Sequence, residues 1–461
     1  MIGLHSKIGV TGTHHIMKHI LILGAGRSAA ALIHFLSQQD VQVQIVDVDQ
    51  QIIKRYESRY ENVTATSLDI FDDSARINLI SLADLVISML PARFHIHVAR
   101  TCVEVGKNLL TASYVDKEVE KLKDQIEEKG LLFLYECGLD PGIDHMSAMR
   151  IIDDIKERGG TVTSFISNTG GLMAPGSDDN PWRYKITWNP RNVILAGKGG
   201  AAIYLLHGIY KHIPHHQLFK RLSEIEIPGF GKFESYPNRD SLKYINLYKL
   251  KNVETVLRGT LRRPGFCSAW NAFVQLGMTD DSYKVYQVKE MTYNDFTRTY
   301  LPYSKLDPKI NFANYLHLSP DSSEMEKIEW LGILKHELIG LEEATPAQVM
   351  QKLLEEKWKA QPDDEDLIVM QHKLEYEMDG EKHKVISSMA HTGSFETLTG
   401  MAQCVGYPLG IAAMGILNGE IEMKGLHIPV EKQIYEPVLE KLKSLGIDFI
   451  EEDEVIPVVD E

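Results

Sequence analysis

Two glycines near the start of the chain have the spacing of a nucleotide-binding turn. An apolar run, 18–23, leads into Gly24, Ala25 and Gly26, and a helix of small residues follows at once. Gly24 would allow a tight turn, Gly26 would let the backbone approach a pyrophosphate, and Ala29 would let the helix pack close to the strand. The pattern predicts a helix N-terminus that faces the phosphates of a dinucleotide.

A carboxylate follows where a ribose-binding acid is needed. Asp47 ends the apolar run 43–46, about twenty residues after Gly26, and an acid there would hold the two ribose hydroxyls. The same carboxylate would repel a 2′-phosphate, so the sequence favours NAD over NADP. Arg27 either lies over the pyrophosphate or is an exposed helix residue. The alternative for the whole motif is a Rossmann-like domain that has lost its ligand.

Charged residues farther along the chain suit a substrate with several charges. Arg239 and Arg262 stand beside turn residues, and an arginine fork binds a carboxylate through two parallel hydrogen bonds. Asp140 precedes a Pro-Gly turn and could receive a substrate ammonium, whereas Asp144 is expected to cap the next helix. Surface salt bridges are the alternative role of the two arginines.

These residues need a scaffold, and six apolar runs in the first third of the chain predict one. Segments of helical character separate the runs, which are 18–23, 41–46, 62–68, 84–90, 108–112 and 131–136. Alternating strands and helices indicate an α/β fold with a doubly wound parallel sheet, whose strand ends meet at one edge. We therefore expect one crevice to be faced by the residues that close the strands: Gly24, Asp47, Asp69, Ser88, Ser113, Gly138 and Asp140.

The rest of the chain predicts a second, mixed α/β region. Residues 323–358 have the periodicity of a small helical unit, and strand character returns at 366–376 and 383–390. The helical unit therefore looks inserted in the substrate region. From Gly393 onwards the pattern is helical again.

Composition narrows the classes of function. The chain has 461 residues, and its 49 basic and 64 acidic side chains give a formal net charge of −15, which disfavours nucleic acid and anionic membranes as partners. No apolar run is expected to reach the length of a membrane span. The four cysteines form no C-x-x-C pair, so reduced and buried thiols are expected.

Two further expectations concern metals and the start of the chain. His212, His215 and His216 are interrupted by a proline and have no carboxylate or cysteine at ligand spacing, so no metal site is predicted. Residues 1–16 differ in character from the rest, and either Met17 is the natural start or the leader is a disordered extension. The default expectation is a cytoplasmic protein.

Five motifs in order resemble a single enzyme family. They resemble the saccharopine dehydrogenases of the glutamate-forming type, also called saccharopine reductases, and a late segment with Tyr407-Pro408 strengthens the likeness. The likeness runs from about residue 18 to the end. The motifs are Ser113-Tyr114-Val115, the segment 138–145, Asn180-Pro181 with Tyr184-Lys185 and Trp188, the segment 236–240, and Arg258-Gly259-Thr260-Leu261-Arg262.

The resemblance implies a three-part architecture. A Rossmann domain over 18–142 would be completed by 393–461, a mixed α/β substrate and dimer domain would cover 143–310 and 363–392, and a small helical domain would cover 311–362. It implies an oxidoreductase of lysine metabolism, a homodimer, that interconverts saccharopine with glutamate and 2-aminoadipate 6-semialdehyde. The alternatives are a carboxynorspermidine-type imine dehydrogenase and a non-catalytic NAD-binding sensor.

The resemblance also assigns residues. Tyr114 and Asp140 are the candidates for carrying protons in imine hydrolysis. No histidine or lysine is an evident general base, and the alternative is that the substrate amines relay protons themselves. Members that use NADP commonly have a basic residue after the second strand, where this chain has Asp47-Val48-Asp49, so NADP stays open beside NAD. Cofactor contacts are implied for Gly24, Ala25, Gly26, Arg27, Asp47, Asp69, Ser88, Thr111, Leu139, Asp140, Pro141 and Trp188. Substrate contacts are implied for Ser113, Tyr114, Asp140, Arg239, Thr260, Leu261 and Arg262.

Overall fold

The architecture comes from a computed structural model that describes residues 17–196 and 200–457. The expectations for residues 1–16 lie outside the described residues. Within the described chain the strands are β1 (Lys18–Leu23), β2 (Val41–Asp47), β3 (Val63–Ser67), β4 (Leu85–Ser88), β5 (Asn108–Thr111), β6 (Leu132–Leu134), β7 (Thr161–Met173), β8 (Ala202–Leu206), β9 (Ile209–Ile213), β10 (Ser223–Ile227), β11 (Gly231–Pro237), β12 (Thr255–Arg262), β13 (Glu365–Met378), β14 (Glu381–Ser394), β15 (Gly425–His427) and β16 (Ile450–Val455).

The helices of the described chain are mostly short. They are α1 (Ala30–Ser37), α2 (Gln50–Tyr56), α3 (Asp73–Leu82), α4 (His95–Val105), α5 (Lys117–Glu120), α6 (Lys123–Glu128), α7 (Ile143–Glu157), α8 (Pro190–Ile194), α9 (His215–Leu218), α10 (Lys243–Leu247), α11 (Phe266–Leu276), α12 (Tyr293–Arg298), α13 (Pro308–Tyr315), α14 (Ser323–Leu331), α15 (Pro346–Lys357), α16 (Gly400–Leu417) and α17 (Lys432–Ser444). Three-residue 3₁₀ turns precede α1 and α4 and cover Val288–Glu290.

The first sheet is parallel throughout and has the order β15-β6-β5-β4-β1-β2-β3. All six predicted runs form strands of this sheet, so the doubly wound prediction is confirmed. The order reverses between β1 and β4. In open parallel sheets, ligands bind beyond the carboxyl ends of the strands at such a reversal.

The second sheet is mixed, and its order is β10-β11-β12-β7-β13-β14-β16, with β8 and β9 attached at β12. Strand β7 lies at its centre, parallel to β12 and antiparallel to β13. The hairpin of β13 and β14 confirms the strand character predicted for that part of the chain. A parallel sheet with a second, mixed sheet and attached helices confirms the predicted fold class.

An aromatic cluster holds the helical region against the second sheet. The Trp182 ring lies 5.4 Å from Phe266, 6.4 Å from Trp270 and 5.3 Å from Trp358, measured between ring centroids. These rings belong to a hydrophobic core that also contains residues of α12, α13, α14 and α15. Burial of several large rings supplies most of the favourable free energy here, because buried apolar area dominates packing.

The C-terminal segment divides between the two sheets. Strand β15 extends the first sheet beside β6, whereas β16 pairs with β14 at the edge of the second. The resemblance implies that the C-terminal segment completes the Rossmann domain. In the structure this segment adds one strand to each of the two sheets. Helix α16 packs on α1, and a Cβ added at Gly406 would stand 2.5 Å from the backbone nitrogen of Leu32, so a side chain there would separate the helices.

Helix α16 also corrects an expectation from composition. Its 18 residues are long and apolar enough, by length and composition alone, to cross a membrane. The expectation that no run reaches that length is wrong. Most of the helix is buried inside the protein. The expectation for the cysteines is confirmed, since all four are free and buried: Cys102, Cys137, Cys267 and Cys404.

Candidate active site

The glycine loop after β1 lies directly against the end of β4. Gly24 has a φ of +91°, and a Cβ there would come within 2.9 Å of the Met89 backbone, so both the turn and the close approach require glycine. Gly26 is exposed, and a Cβ there would meet nothing within 4 Å. Open space above an exposed backbone loop at a helix start fits the pyrophosphate of a dinucleotide.

Asp47 braces this loop from the end of β2. Its Oδ2 accepts a hydrogen bond of 2.8 Å from the backbone N–H of Ala25, and its Oδ1 accepts one of 2.9 Å from Asp49. Asp47 has no ion pair within the described chain, and neither does the exposed Arg27. Asp69 is exposed beyond β3, where it accepts a hydrogen bond from the next turn. The Asp47 carboxylate is thus held at the end of β2, where the ribose of a dinucleotide would lie.

A buried histidine that sequence reasoning missed joins two of the predicted site residues. His95, at the start of α4, lies with Nδ1 2.8 Å from Ser88 Oγ and with Nε2 2.7 Å from Ser113 Oγ. Burial lowers the pKa of His95 to about 4, so the ring is neutral near pH 7. Ser88 is fully buried, and its hydroxyl is hydrogen-bonded to this ring.

An arginine that was present in a quoted motif, but was given no role, organises the acidic end of the site. Arg258 Nη2 forms an ion pair with Asp140 and another of 2.5 Å with Asp144 Oδ2, while Nη1 donates to the Tyr244 hydroxyl. The guanidinium carbon also lies 4.3 Å from the centroid of the Tyr244 ring. Burial acts to lower the pKa of Arg258, but Asp140 and its other neighbours raise it well above the usual value.

The expected capping role of Asp144 is wrong. Gly142 occupies the N-cap position of α7, and Asp144 lies within the first turn, where its Oδ1 accepts a 2.6 Å hydrogen bond from the Gly142 N–H. Its second oxygen is committed to Arg258. Asp144 is therefore a buried partner of an arginine on the second sheet, which the spacing of the motif alone does not reveal.

Tyr114 lies beside this cluster at the surface. Its hydroxyl donates to Asp140 Oδ1 over 3.3 Å, and burial of the hydroxyl together with Asp140 raises the pKa of Tyr114. The hydroxyl therefore keeps its proton near pH 7. The ring is partly exposed, and Lys243 Nζ stands 4.6 Å from its centroid. The structure thus brings the predicted pair of proton carriers together and adds a lysine that sequence reasoning missed.

A buried series of hydrogen bonds supports the loop that carries Ser113 and Tyr114. Glu136 Oε2 lies 2.9 Å from His145 Nε2, and His145 Nδ1 lies 2.8 Å from the Tyr248 hydroxyl. The other Glu136 oxygen accepts from the Val115 N–H, and the Glu136 N–H donates to the Ser113 carbonyl. Burial alone would raise the pKa of Glu136, but His145 holds it below its usual value. These hydrogen bonds hold the loop of Ser113, Tyr114 and Val115 in place.

Arg262 lies on the same face of β12 as Arg258, since side chains alternate along a strand. It is 5% exposed, and its guanidinium carbon lies 5.3 Å from the Tyr184 and Phe266 ring centroids and 5.8 Å from that of Tyr236. Nη1 donates to a backbone carbonyl, and Nε has no partner. No carboxylate of the described chain lies within ion-pair distance. Arg262 is therefore buried without a direct ion pair, although Glu234, its register partner on β11, is among the groups that raise its pKa from a longer distance.

The remaining predicted residues differ in accessibility. Thr260 lies between Arg258 and Arg262 on the same face of β12. Leu261 is fully buried on the opposite face and could contact a ligand only through its backbone. Arg239 is exposed and forms no ion pair with the described chain, and Trp188 packs partly buried against the aromatic core. Three of the predicted cofactor contacts are buried. They are Thr111, at the end of β5, and Leu139 and Pro141, in the turn before α7.

Comparison with known proteins identifies relatives for nearly the whole chain. A sequence profile described as the saccharopine dehydrogenase C-terminal domain matches residues 138–447, and one described as the saccharopine dehydrogenase NADP binding domain matches residues 20–134. The chain is 35% identical over 448 residues to the mitochondrial alpha-aminoadipic semialdehyde synthase of Mus musculus, covering 94% of this chain and 47% of that protein. The chain thus spans about half the length of this relative and of those from Rattus norvegicus and Bos taurus.

Other relatives match from end to end. The chain is 32% identical over 440 residues to the saccharopine dehydrogenase of Saccharomyces cerevisiae that is named for NADP(+) and for forming L-glutamate, covering 93% of this chain and 97% of that protein. The solved apo structure of a histidine-tagged saccharopine dehydrogenase (L-Glu forming) from the same yeast superposes with a TM-score of 0.85 at 31% identity, covering 95% of this chain and 100% of that one. The fold therefore agrees with that of this family over nearly the whole chain.

Proposed function

Because the chain belongs to the saccharopine dehydrogenase family, we propose that it interconverts saccharopine with glutamate and 2-aminoadipate 6-semialdehyde, using a nicotinamide cofactor and water. The end-to-end relatives are named as saccharopine dehydrogenases that use NADP(+) and form L-glutamate. The proposal is supported most by the buried Arg262, a cation that has no carboxylate of the described chain within ion-pair distance. A buried charge without a counter-ion is costly, and a ligand carboxylate would offset that cost.

The charges at the site match a substrate with three carboxylates and two amines. Arg239, Lys243 and Arg262 are three cations that have no ion pair within the described chain. Arg258, in contrast, is flanked by two carboxylates, so the group formed by Arg258, Asp140 and Asp144 carries a net negative charge. We propose that substrate carboxylates bind the three cations and that a substrate amine binds near Asp140.

The chain's own groups can then orient the substrate and move protons. The nicotinamide, when bound, exchanges a hydride with the carbon attached to the secondary amine. Asp140 is paired with Arg258, and Tyr114 keeps its proton and donates a hydrogen bond to Asp140. We propose that these two groups exchange protons with the amine and with water during imine hydrolysis, since both lie within hydrogen-bond distance of each other at the surface of the cluster.

We propose that Asp47 makes this chain accept NAD. The carboxylate stands at the end of β2 with no cation of the described chain paired to it, and it would repel a 2′-phosphate. The yeast relative is named for NADP(+), so the two observations point to different cofactors. Replacing Asp47 by Ser is expected to raise the rate with NADP relative to NAD, and an unchanged ratio would contradict the role given to Asp47.

The first experiment is to follow nicotinamide reduction by the purified protein with saccharopine and either NAD or NADP. Turnover supports the proposal, and Arg262→Met is expected to weaken saccharopine binding. Arg263→Met tests whether any buried arginine has this effect. Arg263 also lies over an aromatic ring, Phe233, and also has buried nitrogens without hydrogen-bond partners, but Asp178 stands 3.8 Å away. Turnover of carboxynorspermidine instead, or NAD binding without any turnover, would overturn the proposal in favour of one of the two alternatives.

A further inference from the structure

The hydrogen-bonded chain Ser88–His95–Ser113 runs inward from the candidate substrate site. His95 is 1% exposed, Ser88 is fully buried, and Ser113 is partly accessible at the end of β5, next to Tyr114. Both imidazole nitrogens lie within 2.8 Å of a serine oxygen. A neutral imidazole has one donor and one acceptor nitrogen, so the position of its proton decides which serine donates.

The burial of Ser88 selects one of the two arrangements. Its Oγ has no hydrogen-bond partner in the described chain besides His95. If Nδ1 carried the proton, the Ser88 hydroxyl hydrogen would be buried without an acceptor, at a cost of about 1–3 kcal/mol. If Nε2 carries it, Ser88 donates to Nδ1 and Nε2 donates to Ser113. Every buried hydrogen then has an acceptor, and the Ser113 hydrogen is left pointing away from the chain.

We infer that His95 is a positioning residue that is held as the Nε2–H tautomer by Ser88 and thereby makes the Ser113 hydroxyl a hydrogen-bond donor toward a carboxylate of the substrate. The assignment of the ligand group rests on the proposed function. Asp116 is the acid that acts on His95 electrostatically, favouring the protonated ring, but burial outweighs it. Ser113 therefore favours an acceptor on the ligand and disfavours a donor, which adds selection for a carboxylate oxygen at this position.

The tautomer can be measured without any turnover. In protein labelled with ¹⁵N-histidine, two-bond proton–nitrogen correlation spectra distinguish the two neutral tautomers, and His95→Gln identifies the signals of His95. We expect a neutral Nε2–H ring at pH 7 and a displaced Nδ1 chemical shift in Ser88→Ala, because that variant removes the hydrogen-bond donor to Nδ1. A wild-type Nδ1–H ring, a protonated ring, or no change in Ser88→Ala would overturn the inference.

Kinetics tests whether His95 acts through Ser113. Ser113→Ala and His95→Leu are each expected to raise the KM for saccharopine about ten-fold, with little change in kcat or in the KM for the nucleotide. The double variant is expected to be no worse than either single one. His95→Gln is expected to recover part of the loss, because its amide N–H can still donate to Ser113.

The control and the contrary outcomes are distinct. His97→Gln alters a histidine of the same helix that packs against Phe71 and is expected to leave the KM unchanged. Additive effects in the double variant, or an unchanged KM in His95→Leu, would contradict the positioning role. If wild-type protein turns over no saccharopine, the proposed function fails, while the spectra still decide whether Ser113 is a donor.

Discussion

Arg258 and Arg262 lie on one face of one strand, both 5% exposed, yet the protein treats them in opposite ways. Arg258 is surrounded by two carboxylates and a tyrosine hydroxyl, whereas Arg262 has aromatic rings, one backbone carbonyl and an unpartnered Nε. A buried cation that is fully paired holds structure together, because removing it strands its partners. A buried cation that is left unpaired lowers stability and raises affinity for an anion. The difference separates a structural arginine from a ligand-binding one.

The largest expected effect comes from breaking the paired arginine. Arg258→Met leaves Asp140 and Asp144 without their cation, and we expect the free energy of unfolding to fall by about 3–5 kcal/mol. Urea unfolding followed by circular dichroism measures this loss. Arg258→Lys keeps the charge but not the fork, so it should lie between the wild type and the methionine variant. A fully stable Arg258→Met protein would contradict the structural role.

The matching change at the unpaired arginine should act on binding instead. Arg262→Met is expected to raise the KM for saccharopine roughly a hundred-fold, since it removes hydrogen bonds to a charged group. The free energy of unfolding should change by no more than about 1 kcal/mol, because the lost contacts with aromatic rings are offset by removal of an unpaired charge. Steady-state kinetics and urea unfolding of the same preparations test both halves. A large loss of stability with an unchanged KM would remove the contrast with Arg258.

A smaller effect is expected at the exposed lysine beside Tyr114. Lys243→Gln removes a cation that contacts two aromatic rings, and we expect the KM for saccharopine to rise about ten-fold, with unchanged stability. Lys249→Gln is the control, because Lys249 is exposed two residues after α10 and lies 3.8 Å from Glu431. Equal effects of the two substitutions would show that general surface charge, and not a carboxylate site, is responsible.

His372, on β13, shows a third way to bury a base, which is to lose its proton. Burial, with a contribution from Arg258, lowers the pKa of His372 to about 3. The unfolded chain takes up a proton below pH 6.5 and the folded protein does not, so stability falls as the pH drops from about 6.5 toward 3. We expect His372→Leu to flatten this dependence by about 1 kcal/mol per pH unit between pH 6.5 and 5.5.

Urea unfolding at those two pH values measures the slope. His212→Gln, which removes an exposed histidine, is the control and should leave the difference between the two pH values near its wild-type size. His95 should contribute in the same direction, because burial lowers its pKa to about 4 as well. A His372→Leu slope equal to that of the wild type would mean that His372 titrates alike in the folded and unfolded protein.

The features that were predicted correctly from the sequence are those formed by neighbouring residues along the chain. The glycine turn, the acid after the second run and the six strands each occupy a few consecutive residues, and the parallel topology then places their ends at one edge. The contact of Arg258 with Asp140 joins residues 118 positions apart. No spacing within either motif indicates it. His95 was missed because one histidine at the start of a helix has no distinguishing neighbours in sequence.

The wrong expectations have the same origin. Asp144 has the residue type and position of a helix cap, but Gly142 occupies that place and an arginine of another sheet uses the carboxylate. Arg258 and Arg262 also stand in one short motif, and nothing in the sequence distinguishes the role of one from that of the other. Only the tertiary contacts show that one is neutralised by the protein and the other is surrounded by rings.

The division of the C-terminal segment between the two sheets has a consequence for synthesis. While the chain emerges from the ribosome, β6 and β14 are open edges, because β15 and β16 are still to come. Open edges expose backbone donors and acceptors that can pair with another chain. Until residues 425–455 follow, the edge strands are the apolar β6 and the long β14 in place of β15 and the acidic β16, so a stalled or truncated product exposes a less protected edge on both sheets.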